Sequence, residues 1–378
     1  MKPKTLLVAS ALAFVSVILL VITFYDITPA GRFFSVVVTA VYLLALHYTA
    51  LWFLVSQRFG VQRAQIAIVN VSLLIVTVAV FSVGAEVFLR FMYRDVTTTG
   101  DNLSYFSKHW LKTVRYNRWG FRERDFDPIR PPRTYRIAVI GDSLAYGQGI
   151  PEDERFSNLV EKRLNGTGKG RYEVLNFALP GAETGDELAF LSRAMLTARP
   201  DFVLLQWYTN DVLGPDDKNQ APEPVTLIPA ALRWNSVLFY LVHRQFGSLQ
   251  NRLGLVESNN TYRVARFGNP NSPSSLAAAD SMNHFIDICR KFDIPVGLVL
   301  FSESYFSPDS KLDFLLERTL QLCQTRKLRC LDTRPILLPH QGDIKLWASR
   351  LDPHPNAFAN QLVAERLMET FRDVWLAR

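Results

Sequence analysis

The chain has 378 residues, 48% of them hydrophobic, and a formal net charge of +7. That length allows one sizeable domain plus further segments. Residues 1–92 hold six Lys/Arg against two Asp/Glu, and the remainder holds 36 against 33. The basicity therefore flanks an apolar N-terminal segment and, with no basic-aromatic signature, argues against a nucleic-acid partner.

Three apolar runs, 5–25, 33–55 and 65–89, fill that segment. Each is long enough to cross a hydrocarbon core of ~30 Å as a helix. The first is too long for a signal peptide and has no small-x-small cleavage site, so three transmembrane helices are expected. Lys2 and Lys4 precede the first run, and Arg58 and Arg63 separate the second from the third. The positive-inside rule then puts the N-terminus in the cytoplasm and everything after about Tyr93 outside the inner membrane, although Arg90 and Arg94 also fall there. His47 and Glu86 read as internal and interfacial polar groups rather than functional ones. Tyr25, Tyr48, Trp52 and Tyr93 suit interfacial anchoring.

Residues 93–134 read as a connector: Thr97-Thr98-Thr99-Gly100-Asp101 is loop-like, and Pro128, Pro131 and Pro132 oppose regular structure. From Tyr135 the pattern alternates. Strands are expected at 136–141, 173–178, 201–207, 295–301 and 328–332, and helices at 154–165, 184–198, 277–292, 310–326 and 357–376. Such alternation predicts an α/β, flavodoxin-like three-layer domain with a parallel five-stranded sheet. An insertion, 212–276, interrupts it. Within the insertion Leu232, Trp234, Val237, Leu238, Leu241, Val242 and Phe246 recur at helical spacing. A helix packed on the domain fits best, with a lid or a bilayer-resting face as the sharper alternative. Cys323 and Cys330 either pair across a helix-to-strand turn or stay reduced, and Cys289 is left over.

The first strand, Ile137-Ala138-Val139-Ile140, ends in Gly141-Asp142-Ser143-Leu144. A serine at the carboxyl end of a first parallel strand sits where open α/β sheets place ligands. Three further blocks follow in order: Asn176-Phe177-Ala178-Leu179-Pro180-Gly181, then Tyr208-Thr209-Asn210-Asp211, then Asp352-Pro353-His354-Pro355-Asn356. Together they resemble the SGNH, or GDSL, family of serine esterases and acylhydrolases, over about residues 115–378. Membrane-tethered bacterial members often carry an element similar to Asn117-Arg118-Trp119-Gly120-Phe121-Arg122, read here as a docking turn.

The resemblance implies that Ser143 is the nucleophile and His354 its base. It also implies an oxyanion hole built from the amides of Ser143 and Gly181 and the side chain of Asn210. Two positions depart from the family pattern. Tyr208 stands where glycine is usual, and the last block is Asp-x-His rather than Asp-x-x-His, with Leu351 at the usual acid position. Asp352 reaches the imidazole if the loop bends; otherwise a backbone carbonyl orients the ring.

The expected function is a membrane-anchored esterase with a periplasmic catalytic domain, which removes an acyl group such as acetyl from a cell-envelope glycan or lipid. No cofactor or metal is implied. An O-acyltransferase working with a membrane acyl-transfer partner is the alternative, and a non-catalytic glycan-binding module is the third reading.

Overall fold

The computed structural model describes residues 61–101, 104–212, 226, 228–306, 310–340 and 346–377. The chain divides into two compact units, Met1–Phe88 and Leu89–Arg378. Helix α1 (Val61–Met92) has 32 residues, and its last turn belongs to the second unit. The first two apolar runs, with His47 and the aromatic residues around it, lie outside the described residues, as do several α1 side chains. Among the described residues no helix is long and apolar enough to cross a membrane. Most of the described apolar side chains of α1, Leu73, Leu74, Val80 and Phe81 among them, are exposed, whereas Leu89 is partly buried.

The second unit opens with α2 (Tyr105–Leu111), in a connector expected to be irregular. It continues through β1 (Thr134–Gly141), α3 (Ser143–Tyr146), α4 (Phe156–Asn165), β2 (Arg171–Ala178), α5 (Thr184–Thr197) and β3 (Phe202–Trp207). Among the described residues the insertion holds three helices rather than one: α6 (Ala230–Asn235), α7 (Val237–Arg252) and α8 (Asn259–Phe267). Then come α9 (Pro273–Lys291), β4 (Val296–Leu300), α10 (Glu303–Phe306), α11 (Asp313–Thr325), β5 (Arg329–Asp332), α12 (Arg334–Leu337), a ribbon of β6 (Trp347–Ser349) and β7 (Asp352–Pro355), and α13 (Ala357–Leu376).

The five-stranded sheet has the order β2-β1-β3-β4-β5 and is parallel throughout. Its strands are apolar on both faces because helices cover both. Alternation sorts the side chains. Ile137, Val139, Phe202, Leu204 and Val299 face α4 and α13, where they meet Val160, Leu164, Val363, Leu367 and Phe371. Ala138, Ile140, Val203, Leu205 and Leu298 face α5, α9 and α11, where they meet Leu191, Phe285, Ile286 and Leu316. Truncating one of these rings, such as Phe371→Ala, would cost roughly 3–5 kcal/mol.

The docking turn takes a defined form. Asn117 Oδ1 accepts the amides of Trp119 (3.0 Å) and Phe121 (3.1 Å). This Asx turn presents Arg122, whose guanidinium is buried and donates to the carbonyls of Tyr146 (3.1 Å), Gly147 (2.7 Å) and Ile150 (2.6 Å). That one side chain gathers three carbonyls at and after the end of α3. In the insertion, Ser236 separates α6 from α7 and caps α7 through the Phe239 amide (3.1 Å). Helix α7 buries Val237 and Tyr240 against Val96 and Phe106 of the connector, but leaves Phe239, Val242, Phe246 and Leu249 exposed, as is Leu253 at its C-cap. Cys323 and Cys330 are disulfide-bonded, joining α11 to β5, and Cys289 is free and buried.

Candidate active site

The sheet's carboxyl ends carry the site. β1 stops at Gly141, and Asp142 caps α3 by accepting the Leu144 amide (2.9 Å). Gln206 Oε1, from β3, accepts the amides of Asp142 (3.1 Å) and Ala145 (3.0 Å). The turn that presents Ser143 is therefore fastened to the neighbouring strand. Gln206 escaped sequence reasoning, although a polar residue inside the apolar run Phe202-Val203-Leu204-Leu205 was a usable signal.

The imidazole of His354 meets the serine: Nε2 lies 2.9 Å from Ser143 Oγ. On its other side Nδ1 lies 2.5 Å from Asp352 Oδ1, which also accepts the His354 backbone amide (3.1 Å). Both residues were expected on a loop; instead they stand on strand β7. In an extended strand residues i and i+2 point to the same face, so the Asp-x-His spacing brings the carboxylate directly onto the ring. The carboxylate, not a backbone carbonyl, orients it.

Burial works against charge on both groups, yet their mutual attraction prevails. Burial pushes His354 down, while Asp352 and, less strongly, Asp142 push it up, and the net result lies above an ordinary imidazole. Burial pushes Asp352 up, while the charge and hydrogen bonds of His354 pull it below an ordinary carboxylate.

The other side of Ser143 differs. Gly181 follows β2 with φ +73°, a conformation that favours glycine. Asn210 lies in the turn after β3, closed by the Tyr208 amide on Asp211 Oδ2 (2.7 Å). The Asn210 amide sits against Asp142 and helps to pull its carboxyl down, although burial leaves it raised overall. Around this turn Asp142, Glu187 and Asp211 are buried, and both Glu187 oxygens, Asp142 Oδ2 and Asp211 Oδ1 lack hydrogen-bond partners. Burial raises Glu187 and Asp211 well above ordinary carboxylates; the charge of Asp142 adds to both, and that of Glu187 adds to Asp211. Burial thus disfavours the charged form of all three carboxyls. Among the described residues no group of His, Cys, Asp and Glu is arranged to hold a metal ion.

Tyr208 fills the space of the usual glycine. Its hydroxyl donates to Glu303 Oε2, which also accepts from Thr209 Oγ1 (2.9 Å) and lies 3.6 Å from Arg263 of α8. The rim beyond β3 and β4 is thus tied to the insertion. Glu303 was not singled out in the sequence, where nothing beyond its place after an apolar strand marks it.

The model of the GDSL-like Lipase/Acylhydrolase family matches residues 139–362, from within β1 into α13. The chain belongs to this family. As a GDSL acylhydrolase it is a serine hydrolase acting on ester bonds. Among solved structures it is similar to the psychrotrophic esterase EstA from Pseudoalteromonas sp., with 13% identity, 64% of this chain and 99% of that one covered, and a TM-score of 0.41. It is also similar to the lipase/acylhydrolase from Enterococcus faecalis, with 14% identity, coverage of 64% and 96%, and a TM-score of 0.40. For the acetyl xylan esterase AlAXEase the figures are 16%, 62%, 98% and 0.39. No curated protein matches the chain. The GDSL match leaves out the connector and α1.

Proposed function

We propose that this GDSL hydrolase cleaves an acyl ester, acetyl being the simplest case, of a cell-envelope glycan or lipid through an acyl-serine intermediate. The observation that carries the chemistry is the unbroken chain from Asp352 through His354 to Ser143. Ser143 Oγ attacks the ester carbonyl while His354 Nε2 takes its proton, and Asp352 holds the ring and stabilises the imidazolium. The amides of Ser143 and Gly181 and the Asn210 side chain hold the oxyanion. His354 returns the proton to the leaving alcohol, then activates water to release the acid.

A membrane setting with the catalytic domain in the periplasm is part of the same reading. It is supported by the apolar runs at 5–25, 33–55 and 65–89 and by the flanking basic residues. The Cys323–Cys330 disulfide fits an oxidising compartment. The exposed apolar row Phe239, Val242, Phe246 and Leu249 on α7, continued by Leu253 at its C-cap, suits a lipid surface.

A fluorophosphonate probe on the full-length chain tests the chemistry. Labelling of Ser143 and hydrolysis of p-nitrophenyl acetate should both vanish in Ser143→Ala. A folded Ser143→Ala protein that hydrolyses the ester at the wild-type rate would overturn the proposal. A screen of acetylated glycans and of acyl esters of increasing length defines the substrate. Acyl transfer to an added glycan at the expense of hydrolysis would replace esterase with acyltransferase.

A further inference from the structure

The catalytic acid has a neighbour that the family match does not contain. Residues 96–100, between α1 and α2, pass behind β7. Thr97 Oγ1 donates to the Gly149 carbonyl (3.3 Å), and Ser349 Oγ of β6 donates to the Thr98 carbonyl (2.7 Å). The segment is thereby wedged between the loop after α3 and the β6–β7 ribbon. Two glycines allow the close approach. At Gly100, φ is +74° and a Cβ would stand 3.4 Å from Asp352 Oδ1 and 3.6 Å from His354 Cε1. At Gly149, φ is +85° and a Cβ would collide with Thr98 Cγ2 at 2.4 Å.

Thr98 is fully buried, and its hydroxyl lies beside Asp352, where it helps to pull the carboxyl down. Asp352 Oδ1 is occupied by the imidazole and by the His354 amide. Asp352 Oδ2 and Thr98 Oγ1 are both buried, and neither closes a hydrogen bond of ordinary geometry. One is an acceptor without a donor, and the other is a donor without an acceptor. Leaving both unsatisfied is costly, and hydrogen bonds in apo sites commonly tighten only when substrate binds.

We infer that Thr98 is a positioning residue for the hydrolysis: its hydroxyl donates to Asp352 Oδ2 and fixes the carboxylate against His354. The inference rests on the assignment of Asp352 and His354 as acid and base. It means that the segment matched by the family is not catalytically self-contained, because the connector completes the acid's surroundings.

Valine and serine separate this role from packing. Thr98→Val keeps the shape and removes the donor; Thr98→Ser keeps the donor and loses a methyl. In the full-length chain, Thr98→Val should lower kcat for p-nitrophenyl acetate about tenfold, with KM little changed, and Thr98→Ser should stay near wild type. The charged groups that act on the imidazole are Asp352 on its own strand and Asp142 ahead of α3. With the donor gone, Asp352 acts more strongly on the ring, so the acid limb of kcat/KM in Thr98→Val should move up by about half a pH unit. In an Asp352→Asn background the valine change should add little.

The reverse ranking, with valine like wild type and serine impaired, would show a packing role and overturn the inference. So would loss of kcat in Thr98→Val with an unmoved pH limb. If Asp352→Asn itself has no effect, the assignment of acid and base fails, and the inference fails with it.

Discussion

Ser143 stands between two unlike neighbourhoods. On the β7 side Asp352 is buried, His354 is part-buried, and the two are matched: the carboxylate faces the imidazole, both ring nitrogens have partners, and only Asp352 Oδ2 is left open. On the β2–β3 side, Asp142, Glu187 and Asp211 are equally buried, yet several of their oxygens have no partner. The difference shows where the site keeps charge in its resting state. An ionised Asp352 is tolerated on the base side because the imidazole is its partner. On the oxyanion side burial pushes the carboxyls toward their neutral forms. A resting anion in that place would oppose the reaction, by the same electrostatics that make an oxyanion hole effective.

The comparison can be broken from either side. Asp352→Asn removes the charge while keeping the shape, and kcat should fall by roughly 10³–10⁴. A loss under tenfold in steady-state esterase assays would mean that the paired side does not depend on its acid. Asn210→Ala removes a proposed oxyanion donor and should cost about 10²–10³ in kcat with KM nearly unchanged; a change in KM alone would move Asn210 from the transition state to ground-state binding. A pH profile of kcat/KM sharpens the contrast. His354 must be neutral to accept the serine proton, and its pKa is raised above the ordinary 6.5. Activity should therefore rise with pH through a limb above 6.5, and a limb below that value would show that Asp352 does not hold the imidazolium.

The smallest effect concerns stability. Glu187 holds its proton more tightly folded than unfolded, since its folded pKa lies well above 4.5. The unfolded chain releases that proton once the pH passes the ordinary carboxyl range, so the fold loses stability as pH rises from there. Glu187→Gln removes the penalty and offers an amide donor to the neighbouring carboxyls. Thermal unfolding at pH 8 should show a gain of about 1 kcal/mol that shrinks toward pH 5. An equal or reversed difference at the two pH values would mean that Glu187 is ionised in the fold.

The parallel sheet was legible because both signals for it are local: apolar runs such as Ile137–Ile140 and helical periodicity between them. All five strands fall within two residues of their expected limits. Ser143, Gly181, Asn210 and His354 could be singled out because each follows a strand or precedes a helix within a recognisable block. The ribbon was not legible. Asp352-Pro353-His354-Pro355 contains two prolines, which argue against a strand unless it lies at an edge, and in a two-stranded ribbon both strands are edges. The two-residue spacing of Asp352 and His354 did carry the signal, since it is the period of a strand and not of a loop. Thr98 was hidden in Thr97-Thr98-Thr99-Gly100, whose composition reads as loop and whose meaning lies in a contact more than 250 positions away. Tyr208 was visible as a departure from glycine, but its link to Glu303 and Arg263 depends on how α8 returns to the rim.

Placing acid and base two residues apart on one short ribbon also decides what happens if that ribbon swings outward. The pair would travel together, still bonded to itself, and the hydroxyl would be left behind with no proton acceptor. The enzyme could thus be disarmed by a small hinge motion without parting the carboxylate from its imidazole partner. A triad assembled from two independently moving loops has no such safeguard.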